Sequence, residues 1–158
     1  TQSRSSAASD VYKRQIMDDY EYYSLFLTQE SKNRLAKWLF FNGYGFANDI
    51  IKAKENWYLD HVTLLHSLIA KYHPQLEVRL EALTWMHAGN YITFEVSGIG
   101  ESHNTLAFRC NIIPYFCAAK VPHITICTFR GGVPEDSNDI TEWKDIKPII
   151  VKGVLKKV

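Results

Sequence analysis

The chain has 158 residues, 46% of them apolar and 13% aromatic, enough for one domain with a single packed core and too apolar for a disordered chain. Its formal net charge is +1 with Lys and Arg scattered, which excludes a protein holding long duplexes chiefly through their phosphates; a compact phosphate ligand or a strand end fits better. No apolar run approaches the ~18 residues of a membrane span, and the unpaired spacing of Cys110, Cys117 and Cys127 suggests neither a zinc site nor a disulfide framework, hence a reducing, cytoplasmic setting.

Residues 1–16 are polar and Ser/Ala-rich, without periodicity, and resemble a translated adapter sequence; they are expected to be a disordered or artefactual tail before a domain over 17–158 that starts at Met17. Residues 22–28 read as a buried aromatic and aliphatic strand. Thr28 or Glu30 then opens a helix to about Phe41, with Leu35, Trp38 and Leu39 on one face and Asn42-Gly43 as its stop. Residues 44–56 suggest a loop, and 57–65 a strand. Pro74 marks a loop over 71–75, after which Leu76, Val78 and Leu80 alternate as in a strand over 76–85. Gly89-Asn90 predicts a turn, 91–96 a half-buried strand, Gly98 and Gly100 the next turn, and 105–110 a returning strand. Residues 111–120 are ambiguous, and Pro122 leads into a strand over 123–129. A short helix is expected from Pro134 towards Trp143, and a β-branched strand over 147–158 closes the chain, with Pro148 near its start. Strand, helix, antiparallel strands, helix, strand is the order of an α+β domain.

Two of these strands carry the same tetrapeptide shape: His61-Val62-Thr63-Leu64 and His123-Ile124-Thr125-Ile126. Residues two apart in a strand share a face, so each His/Thr pair faces one way while its apolar partners face the core. Random placement of 6 His and 9 Thr would yield about a third of one His-x-Thr match, so two matches in apolar surroundings stand above chance, although strand alternation itself produces polar/apolar pairs. If the strands lie side by side, two imidazoles and two hydroxyls converge. The motif strands hold comparable places in the two halves, which suggests a cleft between related lobes.

The paired signature resembles that of the 2H phosphoesterase superfamily. HVTLLH from His61 and PHITICTFRGGVPEDSND from Pro122 are similar to the cyclic phosphodiesterase domain that ends plant and fungal tRNA ligases; the closing strand is similar too. The resemblance spans about 20–158 and is strongest at the two motifs. It implies a bilobal fold, two pseudo-symmetric antiparallel sheets with helices outside and a central cleft. No GxxxxGK[ST] loop accompanies the domain, so its substrate need not be a spliced tRNA. Related free-standing members are thought to open cyclic nucleotides or oligonucleotides, some as viral counters to immune signalling.

Opening a 2′,3′-cyclic phosphate requires a base for water and an acid for the leaving ribose oxygen. An imidazole with a pKa of about 6.5 serves either role near neutrality. His61 and His123 are expected to share these roles without a metal or cofactor, in an order the residues alone leave open. Thr63 and Thr125 would donate to phosphate oxygens as charge grows. The resemblance implies a 2′-phosphate product. Tyr23, Trp57, Tyr58 and Phe129 are candidates for stacking a base, with core packing as their ordinary use. Lys120 and Arg130 flank the second motif as candidate phosphate contacts. His66 falls on the opposite face of an ideal strand from His61. Cys127, four residues from His123, falls on the same face as that histidine, as a small space-filling residue. The expected partner is an RNA terminus or a small cyclic nucleotide, met by a monomer with no membrane association. Two alternatives are cleavage of 3′,5′ or 2′,5′ linkages in cyclic di- or oligonucleotides, and a catalytically silent RNA-binding module.

Overall fold

A computed structural model of the chain describes residues 20–44, 56–86, 89, 91–112 and 117–158. The expectations for the 1–16 tail, most of the 44–56 loop, His87 and Asn90 of the turn, and residues 113–116 lie outside the described residues.

Strand β1, Tyr22–Leu27, leads directly into helix α1, Gln29–Phe41. Thr28 caps the helix by accepting a hydrogen bond from the Ser31 N–H at 3.2 Å, satisfying one of the donors that every helix start leaves orphaned. Leu35 and Leu39 are buried one turn apart, and the chain leaves through Asn42 and Gly43, the latter at φ +86°. Strand β2, His61–His66, passes into a 3₁₀ turn, Ser67–Tyr72, and then into helix α2, Pro74–Met86.

Helix α2 replaces the expected strand over 76–85. Leu76 and Leu80 are buried, whereas Val78 is 56% exposed. The buried spacing is therefore four, not two; Leu76 and Leu80 satisfy both patterns, and Val78 alone imitates a strand. Pro74 begins this helix, where its missing N–H removes no bond.

The remaining strands are β3, Tyr91–Glu101, β4, Thr105–Asn111, β5, His123–Thr128, and β6, Trp143–Lys157, with a 3₁₀ turn, Pro134–Asp139, before the last. β3 runs straight through Gly98 and Gly100, where a turn is expected. The reversal comes later, closed by the Ser102 N–H donating to the Thr105 carbonyl at 2.9 Å. β6 likewise starts earlier than expected, at Trp143, so the short helix ends at Asp139.

The strands pair in the ring β1-β2-β5-β4-β3-β6, and β6 returns to β1. Every pairing is antiparallel. β6 joins β3 through Trp143 to Val154 and β1 through Gly153 to Lys157, so a single closed sheet stands where two separate sheets are expected. The two motif strands, β2 and β5, are neighbours linked by one register pair, Val62 with Ile124. Both of those side chains are fully buried and belong to one apolar cluster with Leu35 and Leu39 of α1 and Leu76 and Leu80 of α2. The Trp38 ring of α1 meets Phe108 of β4 at 5.7 Å, edge on. Phe108 is the register partner of Ile124, so the helices cover this face. The class is α+β. No described helix is long and apolar enough to cross a membrane.

Candidate active site

Because Val62 opposes Ile124 in an antiparallel pair, His61 stands opposite Thr125 and Thr63 opposite His123. With Val62 and Ile124 turned into the core, the four motif side chains share the other face. The histidines occupy one diagonal of a four-cornered cluster and the threonines the other. Diagonal positions on paired strands lie about 7–8 Å apart. The imidazoles are close enough for a charge on His61 to act on His123.

His61 is flanked by rings. Tyr22 stacks on it at 5.3 Å and 13°, and Phe26 lies at 5.3 Å on a tilt. Its Nδ1 makes a long contact, 3.4 Å, with Asp60 Oδ2, while Asp60 pairs with Lys32 at 3.0 Å. Burial lowers the His61 pKa, and the Asp60 carboxylate pulls it part of the way back. His123 donates from Nδ1 to the Val121 carbonyl at 2.9 Å, which fixes its tautomer and leaves Nε2 as the acceptor of the neutral ring. Its pKa is also lowered, first by burial and further by His61, against the opposing Val121 bond.

The hydroxyls differ. Thr63 Oγ1 has no hydrogen-bond partner among the described residues. Thr125 Oγ1 lies 2.9 Å from Ser137 Oγ and 3.4 Å from the Pro134 carbonyl. Ser137 is buried in the 3₁₀ turn after β5. A hydroxyl has one proton; when Thr125 gives it to a ligand, Ser137 can supply the bond that Thr125 accepts. Ser24, register partner of Thr63, also lies on this face between Tyr22 and Phe26, and its buried Oγ has no partner among the described residues.

The other candidates are not gathered here. Tyr23 is a correction: it is fully buried, and its hydroxyl donates to Glu81 of α2. Its neighbour Tyr22 faces the histidine instead, because β1 alternates. Trp57 forms an isolated bridge to Cys127 and packs on the core. Tyr58 is 36% exposed, with its N–H on the Ile126 carbonyl. Phe129 also packs on the core beneath the Arg130 guanidinium, and Arg130 Nη1 donates to the His103 carbonyl at 2.5 Å. Lys120 is exposed in the segment before β5.

Two bulges explain two further corrections. β5 skips Ile126 between the partners of Leu106 and Ala107, which turns Cys127 into the core, fully buried, and off the His123 face. β2 carries an extra residue at Leu64, which brings His66 round to the Tyr22 ring at 6.4 Å, on the His61 side. His66 Nδ1 also accepts from the Leu68 N–H at 3.1 Å, capping the turn that follows.

Sequence reasoning missed Tyr22, Phe26, Ser24, Asp60, Ser137 and Arg109, the β4 register partner of His123. Period-two alternation within 22–28 already separates Tyr22, Ser24 and Phe26 from Tyr23; nothing local marks the others. Among the described residues no three His, Cys, Asp or Glu are grouped to hold a metal ion. No family model matches the chain, and no curated protein matches it in sequence.

Proposed function

We propose that the cluster is the active site of a phosphodiesterase that opens 2′,3′-cyclic phosphates to 2′-phosphates by acid–base catalysis between two histidines. The single observation that carries this reading is the Val62–Ile124 register, which sets His61 and His123 at opposite corners with a threonine beside each. A phosphate centred on the four would meet one imidazole on either side and a hydroxyl at each remaining corner.

The neutral His123 Nε2 takes a proton from water as the water oxygen bonds to phosphorus. The bond from phosphorus to O3′ breaks, and His61 delivers its proton to O3′. His61 suits the acid because the Asp60 carboxylate favours its charged form. His123 suits the base because a carbonyl holds its Nδ1–H and leaves Nε2 with a lone pair. Thr63 and Thr125 stabilise the negative charge that grows on the non-bridging oxygens. In this reading the closed ring is a two-lobed 2H-type arrangement, joined along β2 and β5 and closed again through β6.

The test is a panel of purified substrates: nucleoside 2′,3′-cyclic phosphates, a 3′,5′-cyclic mononucleotide and cyclic dinucleotides, with the product phosphate assigned by NMR. Turnover of the 2′,3′-cyclic substrates to 2′-phosphates, undiminished by EDTA, is expected. Turnover of cyclic dinucleotides alone would replace this substrate class, and an inactive protein that binds RNA would replace catalysis with binding.

A further inference from the structure

The face that carries His123 continues onto β4 and β3. Arg109 is the register partner of His123, Gly98 of Arg109, and Asp145 of Gly98. Paired positions share a face, so His123, Arg109 and Asp145 lie in one row across the sheet. The Arg109 guanidinium lies across Gly98, where an added Cβ would stand 2.8 Å from Cζ. Its Nε donates to Ser97 Oγ at 3.2 Å, and its Nη2 to the Ser97 carbonyl at 2.9 Å and to Asp145 Oδ1 at 2.5 Å.

These bonds fix the plane of the guanidinium and leave both Nη1 hydrogens without a partner among the described residues. The Arg109 side chain is 26% exposed and that of Asp145 88%, so water and salt weaken the carboxylate's hold while it still orients the group. A fixed, half-desolvated guanidinium with two spare donors suits a phosphate oxyanion. It stands two strand spacings from His123, about 10 Å. The phosphate held between the histidines lies half a strand spacing further off, about 12 Å from the guanidinium in all, which is too far for direct contact and is on the scale of two nucleotide steps along a single strand.

We propose that Arg109 binds a second, non-reacting phosphate, so that the preferred substrate is a single-stranded oligonucleotide end bearing the cyclic phosphate rather than a mononucleoside cyclic phosphate. This rests on the phosphodiesterase reading above. Gly98 has its place for the same reason: any side chain there would lift the guanidinium from its seat.

Lys156 of β6, the register partner of Ser24, holds its ammonium 5.8 Å from the centroid of the Phe26 ring and is the rival cation on this face. The experiment compares kcat/KM for a mononucleoside 2′,3′-cyclic phosphate and for a trinucleotide RNA with the same terminus, in wild type, Arg109→Gln, Arg109→Lys, Gly98→Ala and Lys156→Gln. The wild type should favour the trinucleotide by about tenfold or more, and Arg109→Gln should remove most of that preference through KM, as loss of a charged phosphate contact does. Gly98→Ala, which displaces the guanidinium but keeps its charge, should do the same, and Arg109→Lys should restore part of it. The slope of log(kcat/KM) against log[salt] for the trinucleotide should fall by about one unit in Arg109→Gln. Equal losses on both substrates would make Arg109 a structural tie only. Absence of a length preference, or its loss with Lys156→Gln instead of Arg109→Gln, would also overturn the proposal. If the wild type turns over neither substrate, the phosphodiesterase reading fails by itself. The substrate preference falls with it, and polarisation with a fluorescent trinucleotide 3′-phosphate then decides the Arg109 phosphate contact alone: it stands if the label binds and Arg109→Gln weakens binding about tenfold, and falls otherwise.

Discussion

At the scale of residues, the site is governed by what surrounds two imidazoles. Burial holds both below the usual 6.5, and a charge on His61 lowers His123 further. In the proposed mechanism His123 works neutral and His61 charged. The pH profile of kcat/KM should be a bell whose maximum falls below 6.5; a maximum above pH 7 would count against the pair. Asp60→Asn removes the charge that raises His61 and should move the basic limb to lower pH, since that limb reports loss of the acid. Movement of the acidic limb instead would exchange the two roles. His61→Ala or His123→Ala should each cost about 10²–10⁴ in rate, the usual worth of a positioned acid or base. Ser137→Ala should lower kcat severalfold by leaving Thr125 to bond elsewhere, and a normal rate in that variant would dismiss Ser137 as a positioning residue.

At the scale of elements, the local signals were readable where they were not degenerate. The α1 boundaries follow from Thr28, the Leu35 and Leu39 spacing and Asn42-Gly43, each acting within a few residues. α2 was not readable, since Leu76 and Leu80 satisfy both periods and only burial separates them from Val78. Leu80→Ala should cost about 2–5 kcal/mol in urea unfolding, while Val78→Ala should stay within about 0.5 kcal/mol; equal costs would contradict the helix. The glycines of β3 mislead for a related reason. Gly100 is a strand residue whose missing Cβ makes room for Ile140 and Trp143, both 2.6 Å from where one would stand. Gly100→Ala should destabilise by about 1–3 kcal/mol through overpacking. The bulges at Leu64 and Ile126 shift the pleat by one residue, and no alternation rule anticipates them.

At the scale of the whole molecule, the apolar core shared by sheet and helices holds groups that resist ionisation. Burial pushes the Cys117 thiol up to about 11 and Cys127 to about 12, with Cys110 raised as well. All three should therefore react with a thiol reagent orders of magnitude more slowly in the native chain than in denaturant; rapid native labelling would show that core to be open. The two histidines impose a pH dependence on folding. Their folded pKa values lie below 6.5, so the unfolded chain takes up protons first as pH falls. Stability should be full above 6.5 and decline as pH drops from there towards the folded values, read as a falling urea midpoint. The His61→Gln, His123→Gln double variant should lose that part of the decline.

The amino-acid order alone marked which segments carry the candidate site: two pleated tetrapeptides, each with a histidine and a threonine on one side and apolar residues on the other. That is a property of the strand's two-residue period and needs no partner. Tertiary structure decided that these strands are neighbours, that they run antiparallel so the imidazoles take opposite corners, and that Tyr22, Asp60, Ser137 and Arg109 stand around them. Register between distant strands is set by how Val62, Ile124 and the helices above them fill one core, a condition of the assembled chain that no short stretch contains.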